Sequence, residues 1–127
     1  MLLVVPMPSL LAAHIMRISA WLGVVALAVA SWTPAEDMIR TGMGNKIEHM
    51  IAYLLTTFAF TQGYPERSPW QFMTALSICA TLLEVGQSIV PGRHAAPSDL
   101  AAGVIGAFVA SIVVWRLRNS PTSPQIT

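Results

Sequence analysis

A chain of 127 residues has room for one domain. Hydrophobic residues make up 54% and charged residues 10%, against about 25% charged in soluble domains, so the composition argues against a soluble core and for membrane helices. The net charge of +1 offers no electrostatic footprint for nucleic acid, and the single Cys79 excludes an intramolecular disulfide or a multi-cysteine metal site.

Four apolar runs follow in order, and mean hydropathy is +0.61. The first covers residues 18–32 and extends back to Leu10 if His14 and Arg17 lie near an interface. Met16-Arg17, an apolar stretch and Ala28-Val29-Ala30 also fit a signal peptide with a small-residue cleavage site. Three more runs follow, which favours an uncleaved first span; Met16 is an alternative start. The second run is residues 47–61, preceded by Gly42, Gly44 and Asn45, which suit a turn. The third is residues 72–90. Ser68-Pro69 before it suits a helix start, since serine can cap and proline lacks only an N–H that the first turn does not use.

Pro91-Gly92 stops the third run, and Pro97-Ser98-Asp99 opens the fourth, residues 97–115. Asp99 there meets the positive end of the helix dipole. A spanning helix needs about 20 residues, so the first two runs are short unless flanking polar side chains snorkel. Trp32, Tyr64, Trp70 and Trp115 fall near run ends, as interfacial aromatics do. The pattern predicts an all-α polytopic membrane protein: a bundle of four transmembrane helices over residues 1–118, with a disordered tail at 119–127. Arg17, Arg67, Arg116 and Arg118 fall on one side and Arg40, Lys46 and Arg93 on the other. This bias puts both termini in the cytoplasm.

Alternating spans bring the polar residues at the run ends to one membrane face. Lys46, His49 and Tyr53 are spaced i, i+3, i+7 along one helical stripe. Glu84 and Gln87 share a face of the third helix, Arg93 sits in the loop beyond, and Asp99, Gly103 and Gly106 form a stripe on the fourth. Charge beside hydrocarbon is costly, so such a cluster marks a functional site. Lys46 and Arg93 suit a phosphate or carboxylate, Tyr53 and Gln87 suit orienting a polar headgroup, and Glu84 or His49 suits proton transfer. An alternative stands beside this: Glu84 and Asp99, neutralised by Arg93 and Lys46, would form an ionic latch joining three helices. No closely spaced metal-ligand motif occurs, and no metal or cofactor is expected.

At these residues the chain resembles the VanZ-like family of small bacterial membrane proteins. The resemblance is carried by Asn45-Lys46-Ile47-Glu48-His49-Met50-Ile51-Ala52-Tyr53, by Glu84-Val85-Gly86-Gln87-Ser88-Ile89-Val90-Pro91-Gly92-Arg93, and by Ser98-Asp99-Leu100-Ala101-Ala102-Gly103-Val104-Ile105-Gly106. Order and spacing agree over residues 45–106. The chain departs from the family pattern at Asn45, where aspartate is frequent, at Leu83, where an acid is frequent, and at Gly103, where asparagine or aspartate is common. The resemblance implies a four-helix protein of the bacterial inner membrane, in a family named for a link to teicoplanin-type glycopeptide resistance.

Three functions are therefore expected as alternatives. One is a cell-envelope binding module whose outward-facing site (Lys46, His49, Tyr53, Glu84, Gln87, Arg93 and Asp99) takes an anionic or lipid-linked headgroup. The second is an enzyme on a membrane-embedded substrate, with Glu84 or His49 as acid/base. The third is a structural accessory subunit built on the latch. Membrane lipids are the expected partners; no protein partner is indicated.

Overall fold

The apolar runs become helices whose ends are set by the serines, prolines and glycines between them. A computed structural model describes residues 9–34, 42 and 44–120. Helix α1, Leu10–Trp32, starts where the Ser9 side chain accepts the Ala12 N–H at 3.1 Å, and takes in His14 and Arg17. Helix α2, Asn45–Gly63, follows Gly44, whose φ of +100° lies in the region that favours glycine. Helix α3, Pro69–Gln87, is capped by Ser68, which accepts the Trp70 N–H at 3.3 Å. Helix α4, Pro97–Arg118, carries proline in its first turn, with Asp99 close behind.

Several boundaries differ from the hydropathy pattern; α2 and α4 run on past residues 61 and 115, to Gly63 and Arg118. Asn45 is the first residue of α2 rather than part of a turn. Helix α3 ends at Gln87 instead of residue 90, because Ser88, Ile89 and Val90 bond three residues back and tighten into turns. The expected disordered tail falls largely on residues 121–127, and the loop charges Glu36, Asp37 and Arg40 on 35–41; both lie outside the described residues. Among the described residues the fold is all-α, with four helices and no strand.

Helix α2 is the centre of the bundle. It packs extensively on α4 and on α1, while α3 leans on α4 and touches α1 and α2 only lightly. The α2–α4 contact is close because α4 presents small residues to it. A Cβ on Gly106 would collide with the Met50 carbonyl oxygen, and one on Gly103 would press on the Tyr53 ring. Without side chains at these two positions the two helix backbones approach closely.

The interior of this bundle joins an apolar cluster of Leu27, Phe60, Leu76 and Leu83 to small and polar side chains. Thr57, Thr61 and Ser111 are its most completely buried side chains, and Thr56, Ser31, Glu84, Gln87, Arg93 and Asp99 are buried with them. The threonines satisfy their hydroxyls on their own helix, Thr57 on the Tyr53 carbonyl at 2.6 Å and Thr56 on that of Ala52 at 2.8 Å. Ser111 instead crosses to the Pro69 carbonyl at 3.2 Å, joining α4 to the start of α3. The outside carries the large apolar side chains: Leu22, Val25 and Val29 on α1, Ile51 and Leu55 on α2, Ile78 and Leu82 on α3, Ile105 and Val113 on α4. Among the described residues α1 and α4, at 23 and 22 residues, are long and apolar enough to cross a membrane; α2 and α3, at 19, do not meet that test.

Gly106→Leu should lower stability by about 3 kcal/mol or prevent folding, because the new side chain must displace helix backbone. Ile105→Leu, one residue away on the exposed face, should be near neutral. Thermal unfolding of the two variants in detergent checks the contrast.

Candidate functional site

Antiparallel packing brings the start of α2, the end of α3 and the start of α4 to one end of the bundle. The i, i+3 spacing of Glu84 and Gln87 turns both inward, and they are 7% and 3% exposed. The nine-residue connection to α4 then folds back over them. Gly92, with φ +74°, makes the reversal, and the Arg93 N–H bonds the Val90 carbonyl at 3.1 Å. Arg93 is thereby buried, although it lies in a loop.

Two side chains of α3 hold this loop. Glu84 Oε1 accepts the Ala96 N–H at 2.7 Å, and Gln87 Nε2 donates to the His94 carbonyl at 3.3 Å. Ala96 is the residue before α4, so the Glu84 carboxylate takes up a donor that the α4 N-terminus would otherwise leave open. One turn on, Asp99 is buried and accepts from Asn45 Nδ2 at 2.5 Å, which ties the starts of α4 and α2 together. Among the described residues, these neutral donors, and no cation, hold the two carboxylates.

His49 and Tyr53 continue the wall along α2. His49 Nδ1 lies 3.1 Å from the Asn45 carbonyl oxygen, and the His49 and Tyr53 rings stack at 6.3 Å. A carbonyl can only accept, so Nδ1 carries the proton and Nε2 of the neutral ring is left as an acceptor. Tyr53 is buried against Gly103, and its phenol is within electrostatic reach of Glu84 on α3.

Six of the seven expected residues therefore line one end of the bundle: Tyr53, Glu84, Gln87, Arg93 and Asp99 buried, His49 half-buried. Lys46 departs from that set. It shares the direction of Tyr53 around α2 but sits two turns nearer the helix end, and it is exposed. Asn45 takes the place beside Asp99 that the sequence pattern assigned to a cation. Its signal was available, since it lies one turn before His49 on the same helix.

Among the described residues three buried polar atoms make no hydrogen bond: Ser77 Oγ on α3, and Gln87 Oε1 and Arg93 Nε at this end. Gln87 Oε1 is buried and accepts no hydrogen bond, while its amide nitrogen is committed to His94. A buried acceptor left open costs about 1–3 kcal/mol.

The opposite end of the bundle has a different character. Arg17 Nε donates to the Gly63 carbonyl at 2.6 Å, and its guanidinium lies 4.7 Å from the centre of the Tyr64 ring. Arg118 donates to the Thr61 and Arg67 carbonyls, both at 2.7 Å. Arginines from α1 and α4 thus close over the carbonyls at the α2–α3 turn, which a helix C-terminus leaves open.

The chain matches no family model, no curated protein and no solved structure.

Asn45→Leu should destabilise the protein by about 1–3 kcal/mol, because it strips a buried carboxylate of its donor. Lys46→Ala, the adjacent change, should stay within about 0.5 kcal/mol of wild type, as exposed substitutions do. Comparison of their midpoints in thermal unfolding tests this placement.

Proposed function

We propose that the protein is a four-span bundle of the bacterial inner membrane whose polar end is a cell-envelope binding site for an anionic or lipid-linked headgroup. Four spans are supported by the outward faces of the helices: each of the four exposes Leu, Ile or Val, while Thr57, Thr61, Ser111, Glu84, Arg93 and Asp99 are buried. Water would penalise that arrangement and hydrocarbon would not. For α2 and α3, 19 residues reach about 28 Å, close to the hydrocarbon thickness of about 30 Å. Arg17, Arg67, Arg116 and Arg118 gather at the end carrying both termini, which supports a cytoplasmic position for that end. The polar cluster then faces outward.

The observation that carries the binding reading is Gln87 Oε1. A site that only held helices together would satisfy its own amide, whereas this acceptor calls for a hydroxyl or ammonium donor from a ligand. Arg93 on the same end supplies the planar fork that suits a phosphate. Glu84 and Asp99 fix the surrounding loop and helix starts. A headgroup with both phosphate and hydroxyls meets these demands, as in a polyprenyl-linked saccharide or a polyol phospholipid. Exposed Lys46 would meet the anion at the rim. The likeness of residues 45–106 to the VanZ-like pattern supports a role in the envelope, where glycopeptide resistance would be one outcome.

Polyprenyl phosphate and phosphatidylglycerol, added to detergent-purified protein, should raise the midpoint of thermal unfolding, and phosphatidylcholine should not. Arg93→Ala should abolish the shift, and Gln87→Leu should weaken binding about tenfold if one buried hydrogen bond to the ligand is lost. Equal stabilisation of wild type and of folded Arg93→Ala by every lipid would remove the binding reading.

A further inference from the structure

A cavity lies away from the polar end. It has a volume of about 500 Å³, within the roughly 300–1,000 Å³ of small-molecule sites, and it opens between α1 and α3, where the two helices barely touch. Its floor is Phe60 and Tyr64 of α2; its sides are Trp21 of α1 and Phe72 and Leu76 of α3. The walls are fixed before any ligand arrives. Trp21 meets Phe60 edge-on at 5.3 Å, Phe60 stacks on Phe72 at 5.4 Å, and the Trp21 indole donates to the Tyr64 hydroxyl at 3.1 Å.

The polar lining is confined to the mouth. Arg67 and Gln71 line the end at the α2–α3 turn, and Arg17 lies over Tyr64 beside it. Only the Nε of Arg17 is used on the Gly63 carbonyl. Arg67 is exposed. From Gln71 to Cys79 the groove follows α3 for about 12 Å, most of one leaflet of a hydrocarbon core about 30 Å thick.

We infer that this groove binds an anionic glycerophospholipid of the cytoplasmic leaflet, with one acyl chain lying along Phe60, Phe72 and Leu76 and the phosphate at Arg67 and Gln71. The inference rests on the membrane placement proposed above but not on the polar site at the other end. Depth, apolar lining and the position of the charge select a lipid over a soluble anion, which would have no use for the apolar length. They also select an anionic headgroup over a zwitterionic one, because a basic residue at the surface of a membrane attracts anionic lipid.

The test uses the full chain with Trp32, Trp70 and Trp115 replaced by Phe, in phosphatidylcholine nanodiscs. A minor fraction of brominated phosphatidylglycerol or of brominated phosphatidylcholine is then introduced. Brominated phosphatidylglycerol should quench Trp21 at about one-fifth the fraction needed for brominated phosphatidylcholine. Arg67→Glu should erase that preference, and Ala75→Phe, which fills the groove, should reduce quenching by both. If the three replacements unfold the chain, native mass spectrometry of the wild type should show retained phosphatidylglycerol that Arg67→Glu loses. Equal quenching by the two lipids, or a preference that survives Arg67→Glu, overturns the proposal. So does quenching that falls as protein density rises, which assigns the groove to a second copy of the chain. In wild type, quenching of the other tryptophans without Trp21 overturns the groove alone. Quenching of none overturns the membrane placement as well.

Discussion

The contact between α2 and α4 sets the rest of the structure. Gly106 and Gly103 let the α4 backbone ride against Met50 and the Tyr53 ring, with no Cβ to hold them apart. That approach brings the first turns of both helices together, so that a side chain as short as Asn45 reaches Asp99. It also fixes Tyr53 beneath the polar end. Helix α3 is then added through α4, by Ser111 on the Pro69 carbonyl at one end and Glu84 on the Ala96 N–H at the other.

Among the described residues, Glu84 accepts from the Ala96 N–H and Asp99 from the Asn45 amide, and these bonds tie down the loop that carries buried Arg93. Gln87 Oε1, on the same end, is buried without a hydrogen bond.

Much of this was legible in the chain because its signals are local. Ser68-Pro69 and Pro97 mark helix starts by capping and by proline's missing N–H. The spacing of Glu84 and Gln87 puts both on one face wherever that helix packs. What escaped depends on neighbours. Lys46 and Tyr53 point the same way around α2, yet only Tyr53 is covered, since burial at a helix end is decided by other elements. Asn45 read as a turn former until α4 supplied Asp99 as an acceptor. Arg17 and Gly63 are 46 residues apart, and the aromatic groove draws Trp21, Phe60 and Phe72 from three helices, so no pattern within one helix announces either.

The central claim is that the bundle crosses the membrane four times, with its polar end outward. A thiol-accessibility experiment in a Cys79→Ser background tests it directly. Ala95→Cys places a thiol on the exposed turn between α3 and α4, and Glu66→Cys places one on the exposed turn between α2 and α3. In intact spheroplasts of expressing bacteria, an impermeant maleimide should label the first and reach the second only after lysis. Labelling at 66 in intact spheroplasts, or none at 95 until lysis, would contradict the account.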